Sequence, residues 1–133
     1  MSTQPRHYSV HDQPFWESVS EGRMKLQHCA ECGQFRYPPA SCCASCLSTD
    51  AGWTEISGRA RVVSWTTFHR QYLPAWPAPH TVVVAALEEG PLFISTIGTE
   101  AVPRLKLDAP LRIVYADHAD GYRIAGFELS EDG

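Results

Sequence analysis

All five cysteines of the chain lie between Cys29 and Cys46, and four of them form two pairs, Cys29-Ala-Glu-Cys32-Gly33 and Cys43-Ala-Ser-Cys46, separated by ten residues. Two intervening residues let a tight turn aim both sulfurs at one ion, and two such turns supply the four thiolates of a tetrahedral site. An odd, clustered set argues against a disulfide framework, which spreads an even number over the chain. Gly33 follows a second sulfur, where that turn commonly requires positive φ. Four thiolates saturate Zn²⁺ and leave no position for water, so the pattern predicts a structural centre and not a catalytic one. Such sites bind with ~10–16 kcal/mol, enough to order a segment this poor in core residues. Iron held by the same ligands in a rubredoxin-like redox site, and disulfides formed on oxidation, are the alternatives; visible absorbance separates ferric thiolate from colourless zinc. Cys42 offers the rival spacing Cys42-x3-Cys46, but Cys43 and Cys46 repeat the first pair and are the expected ligands, with Cys42 a spare thiol.

The rest of the chain has to fold around that centre. At 133 residues, 44% of them hydrophobic, it can bury one small core. A formal net charge of −4, with only two lysines, disfavours a protein that depends on a phosphate backbone for affinity. No apolar run approaches the ~20 residues of a membrane helix, and Met1 to Val10 is polar, without the apolar stretch of a secretory signal, so the expected location is cytoplasmic. Pro14 in a first turn capped by Asp12 or Gln13, and Gly22 where a left-handed C-terminal residue is wanted, predict a short helix over 14–21 with Phe15, Trp16 and Val19 on one stripe. A helix of so few turns needs a surface to rest on.

From Gly58 the pattern is extended. Segments 59–69, 81–88, 91–98, 111–117 and 122–129 are rich in β-branched and aromatic residues. Glu89-Gly90-Pro91 and Asp117-His118-Ala119-Asp120-Gly121 read as hairpin loops, pairing the second strand with the third and the fourth with the fifth. Thr81 to Leu87 is apolar at nearly every position, which predicts burial on both faces. Five antiparallel strands leave exposed edges unless the sheet closes, and a small barrel of the OB type closes it. The fold class is therefore mainly β: a short N-terminal helix, a rubredoxin-like zinc ribbon and a five-stranded OB-fold barrel. Between the first two barrel strands, Gln71-Tyr72-Leu73-Pro74-Ala75-Trp76-Pro77-Ala78-Pro79-His80 carries three prolines. Either it presents Tyr72, Leu73 and Trp76 on a semi-rigid arm, or Trp76 folds back to plug the barrel mouth.

No catalytic residues are expected. The six histidines, among them His69, His80 and His118, belong to no triad or metal motif, and strand-end or turn histidines are usually structural. There is no Gly-x-Ser-x-Gly elbow, phosphate-cradling glycine loop or dinucleotide fingerprint, and nothing supplies a base to activate Cys42. Because OB barrels often read single-stranded nucleic acid, Arg59, Arg61, Arg70, Trp65 and Phe68 make a competing stacking and cationic surface, weakened by the net charge. The same arginines could meet the acidic patches of a partner.

The order Pro14-Phe15-Trp16, short helix, Cys29-x2-Cys32-Gly33, Phe35 and Tyr37, Pro38-Pro39, Cys43-x2-Cys46, Gly58 opening a strand and Glu89-Gly90-Pro91 in a hairpin resembles the acyl-CoA-associated zinc-ribbon plus OB-fold proteins, formerly a domain of unknown function. The resemblance covers residues 12 to about 129 and divides the chain into a tail and helix (1–24), a ribbon (25–57) and a barrel (58–133). It implies a zinc-binding accessory subunit with no activity of its own, paired in a hetero-oligomer with a thiolase-like aldolase or acyltransferase in lipid or steroid side-chain metabolism. The partner would hold the catalytic residues and share the acyl-CoA. Phe15, Trp16, Arg59, Arg61, Tyr72 and Trp76 are the expected acyl-CoA or partner contacts.

Overall fold

The structure, a computed structural model, describes residues 11–74, 76–117 and 123–131. The sequence reading of a helix opening at Pro14 and closing at Gly22 is met by α1, Gln13–Ser20. Gly22 adopts φ 73°, and the Gly22 and Arg23 N–H groups donate to the Val19 and Ser18 carbonyls, so a Schellman turn satisfies the helix's last carbonyls. Phe15, Ser18 and Val19 face inward. The buried Ser18 hydroxyl donates to Phe15 O at 2.6 Å and accepts the Lys25 N–H at 3.0 Å, tying the helix to the strand that follows.

That strand is β1 (Lys25–Cys29), flanked by β2 (Phe35–Arg36) and β3 (Ala51–Glu55) in the antiparallel order β2-β1-β3. Gln27, buried although polar, accepts the Arg36 Nε–H at 2.9 Å and the Ala40 N–H at 2.7 Å, so its amide fixes the course of the chain through Pro38-Pro39.

The remaining strands, β4 (Arg59–Phe68), β5 (His80–Leu87), β6 (Leu92–Ile97), β7 (Pro110–Asp117) and β8 (Arg123–Leu129), close as a barrel in the order β4-β5-β6-β8-β7. The expected pairings of β5 with β6 and of β7 with β8 are both present and antiparallel. A bulge between Val62 and Ser64 bends β4 so that its first residues also pair with β7. Closure comes at the parallel contact Ile97↔Phe127. There, a Cβ on Gly126 would lie 3.1 Å from Thr96 O, so β8 comes as close to β6 as it does because residue 126 has no side chain. A 3-10 helix, Thr99–Arg104, fills the β6 to β7 connection, an element with no periodic apolar signal in the sequence.

Val62, Val83, Ala85, Leu87, Phe93, Leu111 and Phe127 fill the barrel, and Phe15, Val19, Met24 and Leu26 continue the same core beneath the helix. Three aromatic rings join the parts: Phe15 of α1 lies 5.3 Å from Tyr37 beyond β2 and 6.2 Å from Phe93 of β6, and Tyr37 lies 4.9 Å from Phe93. The expectation of burial on both faces of β5 is corrected. Thr81, Val83, Ala85 and Leu87 are buried, whereas His80, Val82, Val84 and Ala86 on the other face are only half-buried. No helix among the described residues is long and apolar enough to cross a membrane.

Candidate metal centre and contact surfaces

The two cysteine turns repeat each other in backbone as well as in spacing. In the first, Cys29 N–H donates to Gln34 O and Gly33 N–H to Cys29 O; in the second, Cys43 N–H donates to Ser48 O and Leu47 N–H to Cys43 O. Gly33 has φ 78° and Leu47, in the matching place, φ 64°. Leu47 thus occupies a left-handed position that glycine fills in the first turn, a feature the spacing of the second pair could have signalled. Its side chain is 73% exposed, so no burial offsets the strain.

The repeat brings the sulfurs of Cys29, Cys32, Cys43 and Cys46 within 4.8 Å of one another. Cys29 and Cys46 Sγ are 3.5 Å apart, and Cys32 and Cys43 Sγ are 3.6 Å apart. Bonds of about 2.3 Å in a tetrahedral zinc–thiolate place sulfurs roughly 3.8 Å from each other, so this donor set fits the ion. Disulfide bonding, at about 2.05 Å, does not describe it. Cys42 stands outside the cluster, which resolves the choice of spacing in favour of Cys43 and Cys46.

Amide groups prepare the first sulfur of each pair. The Cys32 N–H, 3.5 Å from Cys29 Sγ, pulls that thiol below its ordinary value. The Cys46 N–H, followed by the Ser45 N–H at 3.4 Å, lowers Cys43 to about 6. Both effects favour the thiolate, the form that binds metal. With four sulfurs around it, an ion here has no open position. The residues supply a closed four-thiolate site that stiffens the ribbon, and the His28 ring, whose Nε2–H donates to Gly33 O at 2.8 Å while stacking on Phe35, braces the first turn from outside.

The expected contact residues fall in three separate places. Phe15 is only 3% exposed and packs among aromatic rings, so its expected role as a contact gives way to a core role; Trp16, partly buried, sits edge-on to it at 5.2 Å. Arg59 and Arg61 line a groove of about 610 Å³ over the β4–β7 seam. The register sets Arg59 directly opposite Arg112 of β7, an adjacency invisible in the sequence. Arg59 pairs with Glu88 at 2.5 Å and Arg112 with Glu128, while Arg61 Nη1–H donates to Asp108 O at 2.9 Å.

Tyr72 and Trp76 form the third place. With Phe68, Arg70, Leu73 and His80 they line a groove of about 210 Å³. Trp76 stacks on His80 at 4.6 Å, the Phe68 ring lies 6.3 Å from His80, and Arg70 lies 5.7 Å above the Tyr72 ring. The arm thus packs on the end of β5, holding Trp76 half-buried and leaving Tyr72 70% exposed. Burial pushes the His80 imidazole below its usual pKa. His118, in the β7–β8 connection, and His7 lie outside the described residues.

Two family models match successive parts of the chain. The rubredoxin-like zinc ribbon domain of ChsH2 matches residues 16–51, and the C-terminal OB-fold domain of ChsH2 matches residues 53–116. A probable enoyl-CoA hydratase alpha subunit from Thermomonospora curvata is 31% identical over 108 residues, which are 80% of this chain and 34% of that protein. The chain therefore spans about a third of that relative's length. Among solved structures, the Ltp2-ChsH2(DUF35) aldolase superimposes with a TM-score of 0.85 at 23% identity, over 94% of this chain and 98% of the other. A DUF35-family protein of unknown function from Sulfolobus solfataricus does so with a TM-score of 0.62 at 17% identity, over 80% and 78%.

Proposed function

This chain belongs to the ChsH2 family of zinc-ribbon and OB-fold proteins, and from that premise we propose that it is a non-catalytic accessory subunit of an acyl-CoA-processing complex. The enzyme it serves is a thiolase-like aldolase or acyltransferase that makes or breaks a carbon–carbon bond next to a thioester, as in lipid or steroid side-chain degradation. The observation that carries the reading is the likeness, over nearly the whole chain, to a protein solved within an aldolase. The match to a hydratase alpha subunit points to the same acyl-CoA chemistry.

The chain's own residues support a scaffold. The four thiolates would hold zinc with no site left for substrate or water, and zinc there supplies rigidity alone. Arg61, Tyr72 and Trp76 stand at the surface, where they can line a shared acyl-CoA channel or meet the enzyme. A nucleic-acid role draws less support, because Arg59 and Arg112 on the barrel and Arg23 beside the ribbon are already neutralised by carboxylates. The test is reconstitution. The zinc-loaded chain, a purified thiolase-like subunit from the same organism and their mixture are assayed for aldol cleavage of an acyl-CoA and run on gel filtration. Turnover by the mixture, co-elution, and none from the chain by itself are expected; conversion of the thioester by the chain alone refutes the reading.

A further inference from the structure

The outer face of β5 and β6 is largely apolar, and among the described residues no helix or strand packs over its middle. Paired residues on neighbouring strands point to the same side, and the register lays out the rows Arg61–Ala86–Leu92, Ser64–Val84–Ile94 and Thr66–Val82–Thr96, with Phe68–His80 at the end of β4 and β5. Val63 protrudes in the bulge beside the second row. Of the large apolar side chains exposed among the described residues, Val63, Phe68, Tyr72, Leu73, Leu92 and Ile94 belong to this face or to the arm beyond it. Ile94, near its middle, is 64% exposed. Soluble chains seldom leave so continuous an apolar surface to water unless something docks there. The composition of β5, apolar on both sides, is that of a strand buried on both faces, and the described residues bury one of them.

Charge identifies the occupant. The face is bounded by Arg61 at one end and Arg70 at the other, and among the described residues neither has a carboxylate partner. The two acidic residues at the nearby hairpin are engaged, Glu88 by Arg59 and Glu89 by the Ser57 N–H. Two copies packed face to face about a two-fold axis would set guanidinium against guanidinium whichever way their strands ran, a like-charge juxtaposition that costs affinity. A surface with an apolar centre and acidic rim meets both features, and Tyr, Trp and Arg are the residues that usually anchor such an interface.

We infer that the outer β5–β6 face, extended by Phe68 and the Tyr72–Trp76 arm, is the docking surface for a protein partner bearing an apolar patch rimmed by carboxylates. This rests on the accessory-subunit reading and assigns the enzyme's contact to the barrel and not to the metal ribbon. The test uses the full zinc-loaded chain and a purified thiolase-like subunit from the same organism, with binding read by calorimetry at two salt concentrations and self-association by sedimentation. Ile94→Glu and Val84→Glu are the disrupting variants, the double change Arg61→Glu and Arg70→Glu reverses the rim, and Ala116→Glu, on the outer face of β7, is the control. Zinc content and circular dichroism verify that each is folded.

The expected result is a monomeric chain that binds the enzyme, at least tenfold weaker binding for both disrupting variants, weaker and less salt-sensitive binding for the rim reversal, and no change for the control. Wild-type binding that survives Ile94→Glu and Val84→Glu overturns the assignment while leaving the accessory role intact. A wild-type dimer that Ile94→Glu dissolves overturns it in favour of a second copy. Failure of the wild-type chain to bind any thiolase-like subunit removes the accessory role itself, and the assignment with it.

Discussion

Replacing Phe15 by alanine tests whether helix, ribbon and barrel form one cooperative body. The ring is almost fully buried and meets Trp16, Tyr37 and Phe93 at centroid distances of 5.2, 5.3 and 6.2 Å. Truncating a buried phenylalanine costs about 3–5 kcal/mol, of which each lost ring pair accounts for about 0.5–1.5. An eight-residue helix can slide partway into the space, so the lower end, about 3 kcal/mol, is the expected loss. Against a total of ~5–15 kcal/mol for an ordinary domain, that is a large fraction. With a urea dependence of ~1.5 kcal/mol per molar, the unfolding midpoint should fall by about 2 M. The assay is urea titration followed by tryptophan emission at one fixed free-zinc concentration, since bound metal adds its own stabilisation. Because Phe15 touches Tyr37, which leads into the metal turns, zinc affinity measured by competition with a chelator should fall in parallel. A loss below 1 kcal/mol, or a full loss of stability with unchanged zinc affinity, would refute the claim that the three parts share one core.

Three further outcomes are expected. The Tyr115 hydroxyl accepts the Met24 N–H at 2.8 Å, and burial raises its pKa, so Tyr115→Phe strands a buried donor and should cost about 1–3 kcal/mol in thermal or urea unfolding. Leu47→Gly removes left-handed strain worth about 1–2 kcal/mol and returns about 0.5–1 kcal/mol of backbone entropy to the unfolded chain; the variant should match or exceed wild-type stability, and a clear loss in calorimetry would show that Leu47 has a packing role. His80 is held below its ordinary pKa by burial, so below pH ~6.5 the unfolded chain takes up a proton that the folded imidazole refuses. Stability should therefore be fully present above that pH and decline as pH falls through it. His80→Phe should decline less over the same range, and identical profiles would exclude His80 as a source.

What could be read from the sequence is what depends on neighbours along the chain. Cysteine spacing, Pro14 and Gly22 at the helix ends, and β-branched runs ended by Gly90 and Asp117 act within a few residues, and the elements they imply appear within a residue or two of their expected limits. What depends on pairing could not be read. The juxtaposition of Arg59 with Arg112 is created by the β4–β7 register, and Phe15 became core because Tyr37 and Phe93, distant in sequence, converge on it. The 3-10 helix at Thr99–Arg104 includes Pro103 and buries only Ala101, so it has no stripe to detect. Leu47 lay within reach: once the second cysteine turn is superposed on the first, residue 47 inherits the conformation of Gly33. The apolar composition of β5 predicts burial on both faces, and the described residues bury one.

That last mismatch connects the metal to the surface. Phe93 and Ile94 are consecutive on β6, so one points into the core and the other out of it. Phe93 rests on Tyr37, and Tyr37 follows the short strand Phe35–Arg36 that pairs with β1, whose last residue is the metal-binding Cys29. Within the ribbon only Leu26, Ile56 and the sulfurs of Cys29 and Cys43 are buried apolar groups, with Phe35, Tyr37 and Trp53 partly buried, so its order depends on the ion and on these aromatic contacts. Withdrawing the ion frees the cysteine turns, loosens Tyr37 and removes one wall of the pocket that seats Phe93. The strand that presents Leu92 and Ile94 to a partner then loses its inner anchor. Chelating the ion should therefore weaken binding of a thiolase-like partner to the full chain, read by calorimetry with and without zinc, and unchanged affinity would refute the link between the metal and this face.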